Sequence, residues 1–114
     1  MNHADCIFCN IITKKIPATF IEETPELLVI KDIAPKAPIH LLIISKKHIK
    51  DMQSLTDADA PLMASMMLMA KKLSEKYFDG DDFRLVVNSG YKAGQRVFHL
   101  HFHVLSGKTM EGDV

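Results

Sequence analysis

The chain has no net charge: its 14 Lys and Arg residues balance 14 Asp and Glu. Without an overall field there is no electrostatic footprint for nucleic acid or an anionic membrane surface, so an anionic ligand has to be held locally by a few placed groups. No apolar stretch approaches the ~20 residues that a membrane span needs. Residues 1–5, MNHAD, lack the basic region followed by an apolar run that marks a leader. These absences predict a cytoplasmic protein. Cysteine is scarce, with two in 114 residues, and two thiolates alone cannot complete a tetrahedral structural zinc site. Nor does any repeat, low-complexity tract or linker divide the sequence. It is long enough for a single core and too short for two, so residues 1–114 are expected to form one domain.

What is present is strongly patterned. Asp5 is expected to cap a short helix over residues 6–12, where Ile7, Ile11 and Phe8 form an apolar stripe and Pro17 supplies the stop. Residues 20–23 and 27–31 read as strands of a hairpin around Thr24-Pro25-Glu26, and the apolar run 39–44 reads as a buried central strand carrying one histidine, His40. Thr56 and Asp59 are spaced as a capping box opening a helix over about 57–77, with Pro61 in its first turn. Leu62, Met66, Met69, Leu73 and Tyr77 follow helical spacing, and Met63, Met67 and Ala70 widen the stripe into core filler and a subunit interface. A strand over 83–88, a glycine-containing loop over 89–96 and a histidine-rich strand complete the chain. Five strands, one short and one long helix and mostly short connections predict an α+β domain with a mainly antiparallel five-stranded sheet.

The stretch His99-Leu100-His101-Phe102-His103-Val104-Leu105 is the richest in chemistry. On a strand the three imidazoles share one face and Leu100, Phe102 and Val104 the other. A half-buried strand with a polar outer face needs no histidine, yet half of the chain's six histidines fall within these five positions. Same-face neighbours lie ~6.5–7 Å apart, so a phosphorus centre beside His101 leaves an oxygen within reach of His103. A neutral imidazole is a competent nucleophile toward phosphorus, and His101, in the middle, is the natural one if a backbone carbonyl fixes its tautomer. The preceding loop adds glycines, whose N–H groups approach an anion closely, and the neutral donors Asn88 and Gln95. Cys6 and Cys9 have Cys-x-x-Cys spacing. Zinc is preferred over incidental reduced thiols, with His48 and His99 as candidate further ligands, and a redox role lacks its usual strand-helix context. His40 is either a satisfied core histidine or a partner of the imidazole site, and His3 is given no role.

Taken together these motifs resemble the histidine triad family of nucleotide hydrolases and transferases, named for alternating histidines and apolar residues. The likeness extends to Cys6-Ile7-Phe8-Cys9, Ile16-Pro17-Ala18, residues 32–38, the His40 strand ending in Lys46-Lys47-His48, and Val87-Asn88, which are similar to the adenosine phosphoramidase branch. The resemblance implies the family's fold, with sheets joined across a homodimer, and a purine nucleotide in each subunit. It implies hydrolysis of a nucleoside 5′-phosphoramidate or related nucleotidyl bond through a nucleotidyl-His101 intermediate. The His99 carbonyl would orient His101, His103 would contact a phosphate oxygen and His40 would stand behind them. Asp32 matches the ribose-binding acid, with Ile33 and Ile30 beside the base, and Asn88 and Gly94 match phosphate-loop positions. One structural zinc per chain would be held by Cys6, Cys9, His48 and His99. Arg96 stands where that branch often carries serine, a departure that bears on the leaving group. Competing readings are a dinucleoside polyphosphate hydrolase, a nucleotide-binding regulatory protein with incidental turnover, and a zinc-only interaction module.

Overall fold

The computed structural model describes residues 3–111. Helix α1 (Ile7–Ile12) precedes strands β1 (Phe20–Glu23), β2 (Leu27–Lys31) and β3 (Ile39–Ser45), after which come helix α2 (Ala60–Tyr77), β4 (Phe83–Val86) and β5 (His101–Ser106). All pairings are antiparallel in the order β1-β2-β3-β5-β4. The expected hairpin is closed by Thr24, whose hydroxyl accepts the Glu26 and Leu27 N–H groups at 3.2 and 3.0 Å.

The apolar runs of β2 and β3 follow from burial on both faces. On one face Leu27, Val29, Leu41, Ile43, Phe102 and Val104 pack on Met66, Met69, Ala70 and Leu73 of α2. On the other, Leu28, Ile30, Leu42 and Ile44 meet Phe8 and Ile11 of α1. Alternation along β5 therefore sends Phe102 and Val104 toward α2, and His101 and His103 toward α1. Only this second face bears the imidazoles.

Several boundaries depart from expectation for local reasons. Cys6, rather than Asp5, caps α1, its sulfur accepting the Cys9 N–H. That helix ends at Ile12, and Lys14 takes a left-handed φ of 65°, so Pro17 is not what stops it. The Thr56/Asp59 capping box is present, but it encloses a 3₁₀ turn (Asp57–Asp59) and the α-helix begins at Ala60 with Pro61 in its first turn. The stripe of α2 is narrower than drawn from sequence: Met67 is 55% and Tyr77 39% exposed, beside Leu68 at 64%. β4 stops at Val86, and β5 starts only at His101. His99 and Leu100 lie ahead of the ladder, with the Leu100 N–H bonded to the Ile49 carbonyl at 2.7 Å.

Candidate functional site

Registration sets a row of side chains across the imidazole face. Ile30 lies opposite Leu42, Leu42 opposite His103, and His103 opposite Val86. Above this row opens a cavity of about 790 Å³. Phe8 and Ile11 of α1, with Ile30 and Leu42, are among its apolar lining; His101, His103, Asn88, Gly94 and Arg96 line it as well. Asp32 and Ile33 also line it, and Ile33 stands at its mouth, 97% exposed. An apolar slot with a few convergent polar groups is the usual form of a small-molecule site.

Within it the imidazoles are not equivalent. His101 Nδ1 donates to the His99 carbonyl at 2.7 Å, leaving the Nε2 lone pair free. Burial pushes the His101 pKa below the ordinary histidine value, so the ring is neutral near pH 7. Phe8 stands edge-on to it, with ring centroids 5.0 Å apart, and contributes to that desolvation. Sequence reading placed Phe8 only in an apolar stripe. Its i, i+3 relation to Ile11 was the available signal that both share the face turned to the sheet.

Behind His101 runs a chain of fixed tautomers. The Lys36 N–H donates to His40 Nδ1 at 3.1 Å, so the ring proton of neutral His40 sits on Nε2. That Nε2 lies 2.9 Å from His103 Nδ1 and 3.3 Å from an Asp32 carboxylate oxygen. With its Nδ1 accepting, His103 carries its own proton on Nε2. Burial, reinforced by the neighbouring His101 and His40, holds the His103 pKa down to about 4, and burial lowers His40 too despite Asp32. The Asp32 contact is thus a polar approach to a neutral ring rather than an ion pair, the one Nε2 proton being directed at His103. Asp32, His40 and His103 also have the spacing of metal ligands, but a His40 Nε2 bearing its proton has no lone pair for a cation.

The loop leading into β5 is braced from within. Gly94 adopts a φ of 105°, and a Cβ there would lie 3.7 Å from the Asn88 side chain, a conformation that favours glycine. Gln95, expected among the ligand donors, is absent from the cavity wall. It is 2% exposed, accepts the Gly90 N–H and donates to the Lys50 and Val97 carbonyls. Its amide closes the loop. Arg96 reaches the cavity lining with its guanidinium stacked on Tyr91, 4.1 Å from the ring centroid.

A second cluster lies on the far side of His99. The His99 ring is fully buried, and its Nε2 donates to the Ser45 carbonyl, so Nδ1 presents a lone pair 3.2 Å from Cys6 Sγ and 3.6 Å from Cys9 Sγ. His48 Nδ1 lies 3.3 Å from Cys9 Sγ. All four ligand atoms fall within 4.8 Å of one another. Two sulfurs and two nitrogens at these separations match the edges of a tetrahedron built on metal bonds of ~2.0–2.3 Å. The donor set therefore fits a zinc ion. Burial, aided by Cys6, holds the Cys9 thiol up at about 11, so a metal has to displace its proton. His3, given no role from sequence, stacks on His48 with centroids 3.8 Å apart.

With both clusters placed, similarity to known proteins becomes decisive. Residues 5–113 match the family described as scavenger mRNA decapping enzyme C-term binding. An uncharacterised HIT-like protein of Synechocystis sp. is 42% identical over 104 residues, covering 91% of each chain. The chain belongs to the histidine triad family. A histidine triad family hydrolase from Legionella pneumophila has a similar structure, with 42% identity, a TM-score of 0.89 and coverage of 93% of this chain and 96% of that one. A zinc-bound histidine triad family protein from Mycobacterium smegmatis is 33% identical with a TM-score of 0.76, over 90% of this chain and 75% of that one. Of the histidine triad positions, His101 and His103 meet in the cavity, whereas the His99 ring turns away to the cysteines and only its carbonyl serves His101.

Proposed function

We propose that the protein hydrolyses nucleoside 5′-phosphoramidates or related nucleotidyl bonds through a transient nucleotidyl-His101. The observation that carries this reading is the His101 ring itself: proton pinned on Nδ1, neutral by burial, Nε2 free beside a cavity lined largely by apolar side chains. A purine is taken between the apolar residues, with Ile30 and Ile33 against the base. The Asp32 carboxylate, which otherwise accepts the Ala34 N–H at 2.7 Å, receives the ribose hydroxyls. Asn88 and the Gly94 backbone hold the phosphate, and His103 donates its Nε2 proton to a phosphate oxygen as charge builds there. His101 Nε2 bonds to phosphorus as the substrate P–N bond breaks and the amine departs with a proton from solvent; water then bonds to phosphorus, the pair of the His101 N–P bond returns to Nε2 and the water proton passes to solvent.

Zinc belongs to this reading as a structural ion, one per chain, on Cys6, Cys9, His48 and His99. Four protein ligands leave it no open position, so it cross-links α1 to the segments that follow β3 and precede β5 rather than taking part in chemistry. A homodimer is likewise proposed. It rests on β4, an edge strand with unpaired backbone groups, and on the exposed Met67 and Leu68 of α2.

Turnover of adenosine 5′-phosphoramidate by the wild-type and His101→Ala proteins tests the core claim. AMP release should fall by at least about a thousandfold in the variant, the scale on which loss of an activated nucleophile acts. Equal release from both would remove His101 as the nucleophile.

A further inference from the structure

One buried proton has two acceptors. His40 Nδ1 accepts the Lys36 N–H at 3.1 Å, so a neutral His40 has a single donor, Nε2–H. Within its reach lie His103 Nδ1 at 2.9 Å and Asp32 Oδ2 at 3.3 Å. The other Asp32 oxygen accepts the Ala34 N–H at 2.7 Å, which fixes the carboxylate with Oδ2 turned to the ring. The His40 side chain is 3% exposed and that of Asp32 17%, and Asp32, His40 and His103 all line the cavity. Geometry favours His103 as the acceptor, whereas charge favours the carboxylate.

Where that proton points decides what His103 offers the cavity. While its Nδ1 accepts from His40, the ring carries its own proton on Nε2 and is a donor to a phosphate oxygen. When His40 donates to Asp32 instead, Nδ1 is relieved of that role. The tautomer with its proton on Nδ1 then becomes accessible, and Nε2 meets the phosphate oxygen with a lone pair. Sugar hydroxyls donating to Asp32 draw on the same carboxylate lone pairs as His40 does. We propose that Asp32 couples sugar recognition to chemistry: a ribose diol bound at its carboxylate withdraws Asp32 from the competition, leaves the His40 proton to His103, and so sets His103 as the donor to phosphate. His40 is the positioning residue of this coupling. The specificity it confers is for nucleotidyl groups with a free ribose diol, expressed in kcat as well as in KM. This rests on the nucleotide-hydrolase reading and adds a role for the sugar within it.

The test compares adenosine 5′-phosphoramidate with its 2′,3′-dideoxy analogue in wild-type and Asp32→Asn proteins. An asparagine amide keeps an oxygen for the Ala34 N–H and turns its NH2 toward His40, which removes the competing acceptor. In the wild type the dideoxy substrate should show a kcat about tenfold lower, as expected for a weakened donor to the transition state, besides a higher KM. In Asp32→Asn the two kcat values should agree within about twofold, because the His40 proton then has His103 alone. A carboxylate that only binds the sugar changes KM and leaves kcat equal in the wild type. That result overturns the coupling, as does a kcat deficit that persists undiminished in Asp32→Asn. NMR of isotopically labelled His103 ring nitrogens reads the tautomer without turnover. Adenosine should raise the Nε2–H form in the wild type, 2′,3′-dideoxyadenosine should not, and Asp32→Asn should hold that form with neither bound. Equal His103 spectra with the two nucleosides also overturn the coupling. Failure of the wild type to release AMP from adenosine 5′-phosphoramidate overturns the nucleotide-hydrolase reading instead, and the NMR comparison still decides the coupling.

Discussion

Each histidine of the cavity owes its state to a neighbour that a residue list does not name. His101 is held by a backbone carbonyl, His40 by the Lys36 N–H, and His103 by the His40 ring. Burial lowers all three pKa values. Since protonation of His101 would abolish its nucleophilicity, activity is present above its folded pKa and is lost as pH falls through it. The acid limb of kcat/KM should therefore lie below the ordinary histidine value of about 6.5. A pH profile on a nucleotidyl substrate checks this, and a limb at or above that value would contradict a buried, neutral nucleophile. The identities of His101 and His103 were legible because alternation on a strand puts them on one face. The donors that set their protons were not, because a backbone group has the same chemistry whatever residue carries it.

At the scale of elements, legibility followed burial. β2 and the start of β3 read correctly because unbroken apolar runs admit few alternatives once both sheet faces are covered, whereas β1, Phe20–Glu23 and only half-buried, was legible from the turn that joins it to β2. The start of β5 was misplaced because a ladder ends where its partner does. β3 pairs only as far as Ile44 with His101, and the Leu100 N–H turns instead to Ile49. That shift frees the His99 ring from the sheet and lets its two ends serve different clusters. α2 was read too broadly because methionine fits core and surface alike. Its two faces now give opposite expectations. Leu73 is fully buried, so Leu73→Ala should cost about 2–5 kcal/mol in urea unfolding. Leu68 is 64% exposed, so Leu68→Asp should leave the fold intact and, if the proposed homodimer forms through this face, shift sedimentation from dimer to monomer. A wild type that sediments as a monomer, or unaltered sedimentation of the variant, would overturn a dimer through this face.

Across the whole molecule, His99 joins what would otherwise be two separate sites. Its ring faces Cys6 and Cys9, its carbonyl holds His101, and its Nε2 ties both to the end of β3 at Ser45. A zinc ion there would link the start of α1, the segment after β3 and the segment preceding β5, three pieces distant in sequence, and would stabilise the folded chain by mass action. Ligand deprotonation sets the sign of its pH dependence. The Cys9 thiol is held up at about 11 and must lose its proton, whereas His48 is shifted down by burial and offers its lone pair readily. Proton release on binding means that affinity weakens as pH falls. Protein purified without chelator should contain close to one equivalent of zinc per chain by elemental analysis, and should lose it on acidification. Cys6→Ala or Cys9→Ser should reduce bound zinc below about a tenth of an equivalent and lower Tm by several degrees, the shift expected for a loss of about 1–2 kcal/mol in a domain of this size. Chelation should lower the wild-type Tm toward that of the variants and leave theirs unchanged. A wild-type Tm indifferent to chelator would mean that the two thiols and two imidazoles hold this corner together without a metal.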